Sequence, residues 1–318
     1  MNIGILGAGT IANKMAKTIL EMDEAVAYAI AARDLKRAKV FKEQYGFEKA
    51  YGSYEEMLAD ENVELVYVAT THNCHYEQVK MCLLAGKHVL CEKSFTITAA
   101  EARELCELSE EKGLLLAEAM WTRYLPIYGI LEDVLGRGEI GEISSAVVNF
   151  GGNLKKERVW KKELGGGALL DLGVYVLTVA RLIFKAEIKK IVSLAVVNDD
   201  DIDYVDNIII QFANNKTAIL QANQTAIMSS RVEIFGSTGY IEMGSVMNPP
   251  SIKVYGPGQE LRNAYKRPEQ ITGFEYEVLA CIKAIREGKV EVEELPHKEM
   301  IYIMELMENL LKEWRANK

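Results

Sequence analysis

A strongly apolar stretch, Asn2–Leu6, runs straight into the glycine-rich turn GAGTIA at positions 7–12, and a helical pattern follows from Ile11 to Met22. Strand, glycine turn and helix in that order constrain the chain to an α/β fold, because the turn must reverse the backbone quickly and deliver a helix onto the sheet. Gly7 permits the tight turn, Gly9 lets the main chain approach a bulky anion, and the small Ala12 keeps helix and strand close. The first helical residues, Thr10 and Ile11, then point free N–H groups at that anion. The turn therefore reads as the pyrophosphate cradle of a dinucleotide.

The rest of the first third repeats the rhythm. Apolar runs at Ile3–Leu6, Ala25–Ala31, Leu65–Ala69, His88–Cys91 and Leu114–Ala117 alternate with helical patterns, the signature of βαβ units building a parallel sheet. Ser53 with Glu56, and Thr98 with Glu101, fit the capping box that opens a helix. Past Met120 the pattern changes. A helix near Ile127–Leu135 leads to a strand at Ile143–Phe150, and the apolar segment Ala168–Phe184 reads as a buried helix. Strands at 188–197, 206–212, 217–225, 231–235, 240–243 and 252–255 then follow one another with short turns, which implies an antiparallel sheet. Helical patterns at 273–286 and 297–314 close the chain. The expected fold is α/β: a Rossmann domain over residues 1–119, then an α+β domain over 120–318 with a large, mostly antiparallel open sheet. The two last helices are free to pack back on the first domain.

The tip of the second strand reads AIAARDLKR. A dinucleotide fold that prefers NAD carries an acid there for the ribose hydroxyls. Here small Ala31 and Ala32 precede Arg33, and Arg37 lies one helical turn on, so a 2′-phosphate has both room and cations. NADP is the expected cofactor, with NAD as the alternative if Asp34 is the ribose acid.

Two further stretches carry chemistry. VLCEKS ends the fifth apolar run and sets Glu92 and Lys93 at the carboxyl edge of the parallel sheet, where ligands bind in this architecture. GGGALLDLGVY, residues 165–175, spaces Asp171 and Tyr175 four apart on one face of an apolar helix. An aspartate in such a helix is either a structural acceptor or part of a site, and Tyr175 is either a core aromatic or an acid–base group.

With 37 basic against 46 acidic residues and a net charge of −9, the chain has no basic block, and nucleic acid is not an expected partner. No apolar run reaches the roughly 18–20 residues needed to cross a bilayer and no signal pattern opens the chain, so neither membrane association nor export is expected and the cytoplasm is the expected location. The five cysteines show no paired spacing and read as reduced core thiols. His72, Cys74 and His75 share a loop but lack a fourth ligand at metal spacing, so no metal is expected.

Taken together, GILGAGTIA, AARDLKRA, AYGSYEEMLAD, VLCEKS, AEAMWTRYLP and LGGGALLDLGVY resemble the Gfo/Idh/MocA oxidoreductase family, within it the branch of dimeric dihydrodiol dehydrogenases and NADP-dependent D-xylose dehydrogenases. The resemblance spans Ile3 to Tyr175. It implies that Lys93 fills the lysine of an EKP motif whose proline is Ser94 here, and that Tyr175 stands where much of the family has histidine. It further implies hydride transfer between nicotinamide and a sugar, polyol or vicinal diol, with Tyr175 as general acid/base, Lys93 assisting and Asp171 orienting the lysine or a substrate hydroxyl. The stretch Thr70–His75, with Thr71, His72 and His75, joins the arginines in holding the cofactor. Trp121 and Arg123 then frame its nicotinamide end, and Arg158 and Trp160 the substrate. Apolar residues on both sides of the strand at 206–212, Ile208, Ile210 and Phe212 against Ile209, suggest a homodimer through the open sheet, unless the C-terminal helix covers that face. A non-catalytic NADP(H)-binding regulator is the other class, disfavoured because Lys93, Asp171 and Tyr175 are all present.

Overall fold

A computed structural model of the protein describes residues 1–317. They fall into two units, Met1–Tyr124 with Gln270–Glu305, and Leu125–Glu269 with the chain from Leu306 onward.

The first unit holds six strands, β1 (Asn2–Leu6), β2 (Val26–Ala31), β3 (Lys49–Tyr51), β4 (Leu65–Val68), β5 (His88–Glu92) and β6 (Leu116–Ala119). They form one sheet in the order β3-β2-β1-β4-β5-β6, parallel throughout. β1 and β4 are apolar at successive positions because both of their faces are buried. The helices α1 (Thr10–Leu20), α2 (Leu35–Tyr45), α3 (Tyr54–Leu58), α4 (His72–Leu84) and α5 (Ala99–Lys112) connect them. Thr98 and Glu101 make the full capping box expected of them, whereas at Ser53 the hydroxyl caps Glu56 N–H and the Glu56 carboxylate takes the Gly52 amide instead. Strand order reverses between β1 and β4, the point at which a doubly wound sheet opens a ligand crevice.

The second unit begins with α6 (Pro126–Gly136) and β7 (Ile143–Gly151). The expected single helix over Ala168–Phe184 is two pieces, a π-helical turn at Leu169–Gly173 and then α7 (Val174–Phe184). The stretch Lys162–Phe184 corrects the expectation that no segment is apolar enough to cross a bilayer, but 94% of its most apolar window is buried, as in a core helix. Seven strands follow: β8 (Ile188–Val197), β9 (Asp203–Phe212), β10 (Thr217–Asn223), β11 (Arg231–Gly236), β12 (Gly239–Met243), β13 (Ser251–Tyr255) and β14 (Leu261–Lys266). The eight-stranded order is β14-β13-β12-β11-β7-β10-β9-β8. All neighbours are antiparallel except β7 with β10, whose parallel pairing departs from the simple meander. α7 packs against β7 and β10 on the inner face, where Ile208, Ile210 and Phe212 are buried.

The stretch Gln270–Glu305, with α8 (Glu275–Arg286) and the start of α9 (His297–Ala316), is stitched into the first unit. Leu116 N–H donates to Val290 O, occupying the open edge of β6, and His297 Nε2 lies 2.9 Å from Leu116 O. The buried Glu275 carboxylate accepts the amides of Ile271, Thr272 and Gly273, satisfying donors at the entry to α8.

Candidate active site

Gly7 adopts φ +102°, the left-handed turn that β1 needs to release into α1. Gly9 has φ −97°, open to any residue, and an added Cβ there would meet only Ala69 O at 3.8 Å. The fold does not demand a glycine at position 9, but a phosphate lying against the backbone does. No side chain caps α1, so its first-turn amides stay available to an anion. Arg37 Nη2 donates to Ala8 O at 3.2 Å, which holds its guanidinium beside the turn. Arg33 is exposed, and both arginines act electrostatically on Tyr54, whose phenol burial pushes upward. Asp34 is occupied as the N-cap of α2, its carboxylate accepting Lys36 N–H at 2.8 Å. These residues fit a dinucleotide.

At the carboxyl end of β4 the stretch read as a loop is the start of α4, with Thr71 as its N-cap residue. His72 and His75 are both buried, with ring centres 5.8 Å apart. His75 turns inward: Nδ1 lies 2.9 Å from Ser94 O and 3.2 Å from Phe95 O, and Nε2 lies 3.4 Å from Thr70 O. Burial pushes its imidazole down to about 4, so it is neutral at physiological pH. It anchors the turn after Lys93 by main-chain contacts.

Lys93 follows directly on the last residue of β5. Glu92 is buried and accepts the Tyr67 hydroxyl. Glu118, on β6 opposite Cys91, accepts Phe95 N–H at 3.1 Å, and its backbone carbonyl accepts the Tyr124 hydroxyl. Burial raises the Glu118 carboxyl to about 8, and the nearby Lys93 ammonium offsets part of that rise. Trp121 stacks on Phe274 with ring centres 4.6 Å apart, and Arg123 donates through Nε and Nη2 to Glu294 O at 2.8 and 2.6 Å. Both side chains thus have packing roles within the first unit.

In the second unit Asp171 lies in the π-helical turn and Tyr175 in the first turn of α7. Arg158 Nη2 donates to Asp171 Oδ1 at 2.8 Å, the partner that makes an acid tolerable in an apolar helix. Tyr175 is buried and its ring meets Phe150 edge-on at 5.5 Å. Trp160 donates its indole N–H to Leu154 O at 3.0 Å. Beneath the turn, Asp203 Oδ2 accepts Leu169 N–H at 2.6 Å. Glu118 and Asp203 were not singled out in the sequence; each becomes visible only once strand pairing brings it under a distant turn.

A family model described as oxidoreductase family, NAD-binding Rossmann fold, of the Gfo/Idh/MocA group, matches residues 1–120, and the group's C-terminal domain model matches residues 130–242. Among curated relatives, trans-1,2-dihydrobenzene-1,2-diol dehydrogenase of Mus musculus is 32% identical over 323 residues, covering 97% of this chain and 95% of the relative. The chain belongs to the Gfo/Idh/MocA oxidoreductase family. The same dehydrogenase of Xenopus tropicalis is 35% identical, over 80% of this chain and 78% of its own length. Among solved structures, the 3-ketoreductase KijD10 from Actinomadura kijaniata, in complex with NADP and TDP-benzene, superposes with a TM-score of 0.88 at 28% identity, covering 97% of this chain and 96% of that one. The aldose–aldose oxidoreductase of Caulobacter crescentus, at 20% identity and a TM-score of 0.87 over 100% of this chain and 98% of that one, shares the fold. The protein is an enzyme, an NAD(P)-dependent dehydrogenase or reductase acting on a carbon that carries a hydroxyl or carbonyl oxygen.

Proposed function

We propose that this enzyme transfers a hydride between NADP(H) and a carbon of a sugar, polyol or vicinal diol. The observation that carries the reading is Lys93 at the carboxyl end of β5, in a sheet whose glycine turn fits a dinucleotide, within a chain 32% identical over 97% of its length to a diol dehydrogenase. The occupation of Asp34 as a helix cap supports NADP over NAD, since it turns the one acid near the strand tip toward a backbone amide and leaves Arg33 and Arg37 for a phosphate.

The nicotinamide, when bound, supplies or accepts the hydride. Reduction of a carbonyl builds negative charge on oxygen, and Tyr175 is the general acid that protonates it; in the reverse direction its phenolate removes the hydroxyl proton. The Lys93 ammonium favours that phenolate, and Asp171, paired with Arg158, orients the groups around it. Arg158 and Trp160 serve the substrate side, and Thr71, His72, Glu92, Trp121 and Arg123 the cofactor side.

The enzyme also works as a homodimer. Val192 on β8, Ile209 on β9 and Ile219 on β10 line up in register on the outer sheet face, about half exposed, with Leu194 (71% exposed) beside them. The other face is covered by α7 and, at β8, meets the C-terminal helix, where Trp314 Nε1 donates to Ser193 Oγ. An apolar row of this kind is what a second sheet buries.

A panel of aldoses, polyols, diols and diketones with NADP(H), followed by nicotinamide absorbance, tests the reaction. Tyr175→Phe is expected to lower turnover by about 10²–10⁴-fold with NADPH affinity unchanged; unchanged turnover removes Tyr175 from the chemistry. Arg33→Ala should abolish a preference for NADPH over NADH, and Ile209→Lys should give a monomer by sedimentation.

A further inference from the structure

The turn Lys93-Ser94-Phe95 lacks the proline that would stiffen it, yet it is held from two sides. His75 of α4 takes the carbonyls of Ser94 and Phe95, and Glu118 of β6 takes the Phe95 amide. Ser94, Phe95 and His75 are fully buried, and Glu118 is 4% exposed. A carboxyl in that position has two separable properties. Its oxygen fixes a main-chain amide two residues past the lysine, and its proton decides how much charge shares the pocket with the ammonium. The charged and titratable groups acting on Glu118 are Glu92, Lys93 and Cys91 from β5 and the residue after it, Cys106 from α5, and Tyr124 beyond β6. Lys93 is the one cation among them. Cys91, Cys106 and Tyr124 have their ionisation pushed upward by burial and stay neutral.

We propose that Glu118 is a positioning residue for Lys93: its carboxyl holds the turn that carries the ammonium, and its charge state sets how that ammonium is balanced. As a neutral acid it accepts the Phe95 N–H and leaves Lys93 balanced by its other partners. Loss of its proton puts a buried carboxylate charge beside Glu92, draws the ammonium toward β6 and shifts the ammonium's proton affinity upward. The reaction then slows although both units remain folded. Burial raises the Glu118 carboxyl to about 8, which locates this loss on the alkaline side of neutrality. The inference rests on the proposed role of Lys93.

The test compares kcat/KM against pH, from 6 to 10, for the native enzyme, Glu118→Gln, Glu118→Ala and Lys93→Ala, with NADPH affinity and circular dichroism measured alongside. Glutamine keeps an oxygen for the Phe95 amide but cannot ionise. Glu118→Gln should retain neutral-pH activity within about threefold while its alkaline limb moves up by about one pH unit or more. Glu118→Ala should lose kcat by about tenfold with KM for NADPH little changed, an effect that glutamine rescues. An alkaline limb in Glu118→Gln identical to the native one overturns the proposal, whether or not Glu118→Ala folds. If Lys93→Ala keeps native turnover, the underlying role of Lys93 fails; if it collapses while the Glu118→Gln profile stays native, only the inference about Glu118 fails.

Discussion

In the first unit a buried carboxyl on β6, Glu118, accepts the amide of Phe95, two residues after Lys93; in the second a buried carboxyl on β9, Asp203, accepts the amide of Leu169, two residues before Asp171. Each lies far in sequence from the turn it holds. Their neighbours differ. Glu118 has the Lys93 ammonium and the Glu92 carboxyl within electrostatic range, whereas Asp203, with Arg315 acting on it as a weaker influence, lies against a second buried acid, Asp206, and shares a hydrogen bond with it. Burial raises both aspartates, and their mutual repulsion drives Asp206 further up. A single buried acid near a cation can exchange its charge in the working pH range; a buried acid hydrogen-bonded to another acid keeps a proton on the pair and serves as a fixture.

The largest expected effect tests the fixture. Gly167 has φ +128°, and a Cβ there would fall on the Asp203 carboxylate. Gly167→Ala should destabilise the protein by about 3 kcal/mol or more, read as a fall in the urea midpoint, because backbone strain and displacement of the anchor add. A loss under about 1 kcal/mol would mean that Asp203 is replaceable.

The next effect separates the two anchors by pH. Acids whose folded affinity for protons is raised stabilise the fold below their unfolded values, and that stability is lost as pH rises through the folded values. Asp206, Glu277 and Glu118 all act in this direction. Tm should therefore fall from pH 6 to pH 9, and Asp206→Asn should reduce the fall by about 1–3 kcal/mol equivalent. Glu277→Gln should act similarly but less, by about 1–2 kcal/mol, since Glu277 is fully buried and neither of its oxygens finds a hydrogen-bond partner among the described residues. A flat Tm–pH curve in the native protein would contradict all three assignments. The smallest effect is a control outside either anchor: Thr98→Ala removes one half of the α5 capping box and should cost about 1 kcal/mol at every pH.

Much of this was legible in the residues, where the cause is local. The glycine turn, the capping residues and Lys93 after an apolar run all act over a few positions, and each sits in the element expected of it. β3 was missed because three residues carry no period, and β14 because LRNAYK is polar and mostly exposed, as an edge strand is. The π-helical turn under Asp171 was hidden because a one-residue change in hydrogen bonding leaves the apolar pattern intact. His75 looked like a ligand-facing histidine until the turn after β5 folded over it. Glu118 and Asp203 were out of reach for a related reason: a buried carboxyl is identified by the amide it meets, and those amides are 23 and 34 positions away.

The first unit is completed by Gln270–Glu305, so its sheet edge at β6 gains its final backbone partner, Val290, only after the whole of the intervening unit has been synthesised. On the ribosome the N-terminal segment must wait, its last strand unpaired on one side, while about 170 further residues emerge between Ala119 and Val290, which exposes a sticky edge to chaperones or to neighbouring nascent chains. A C-terminal truncation before Gln270 would make that transient exposure permanent.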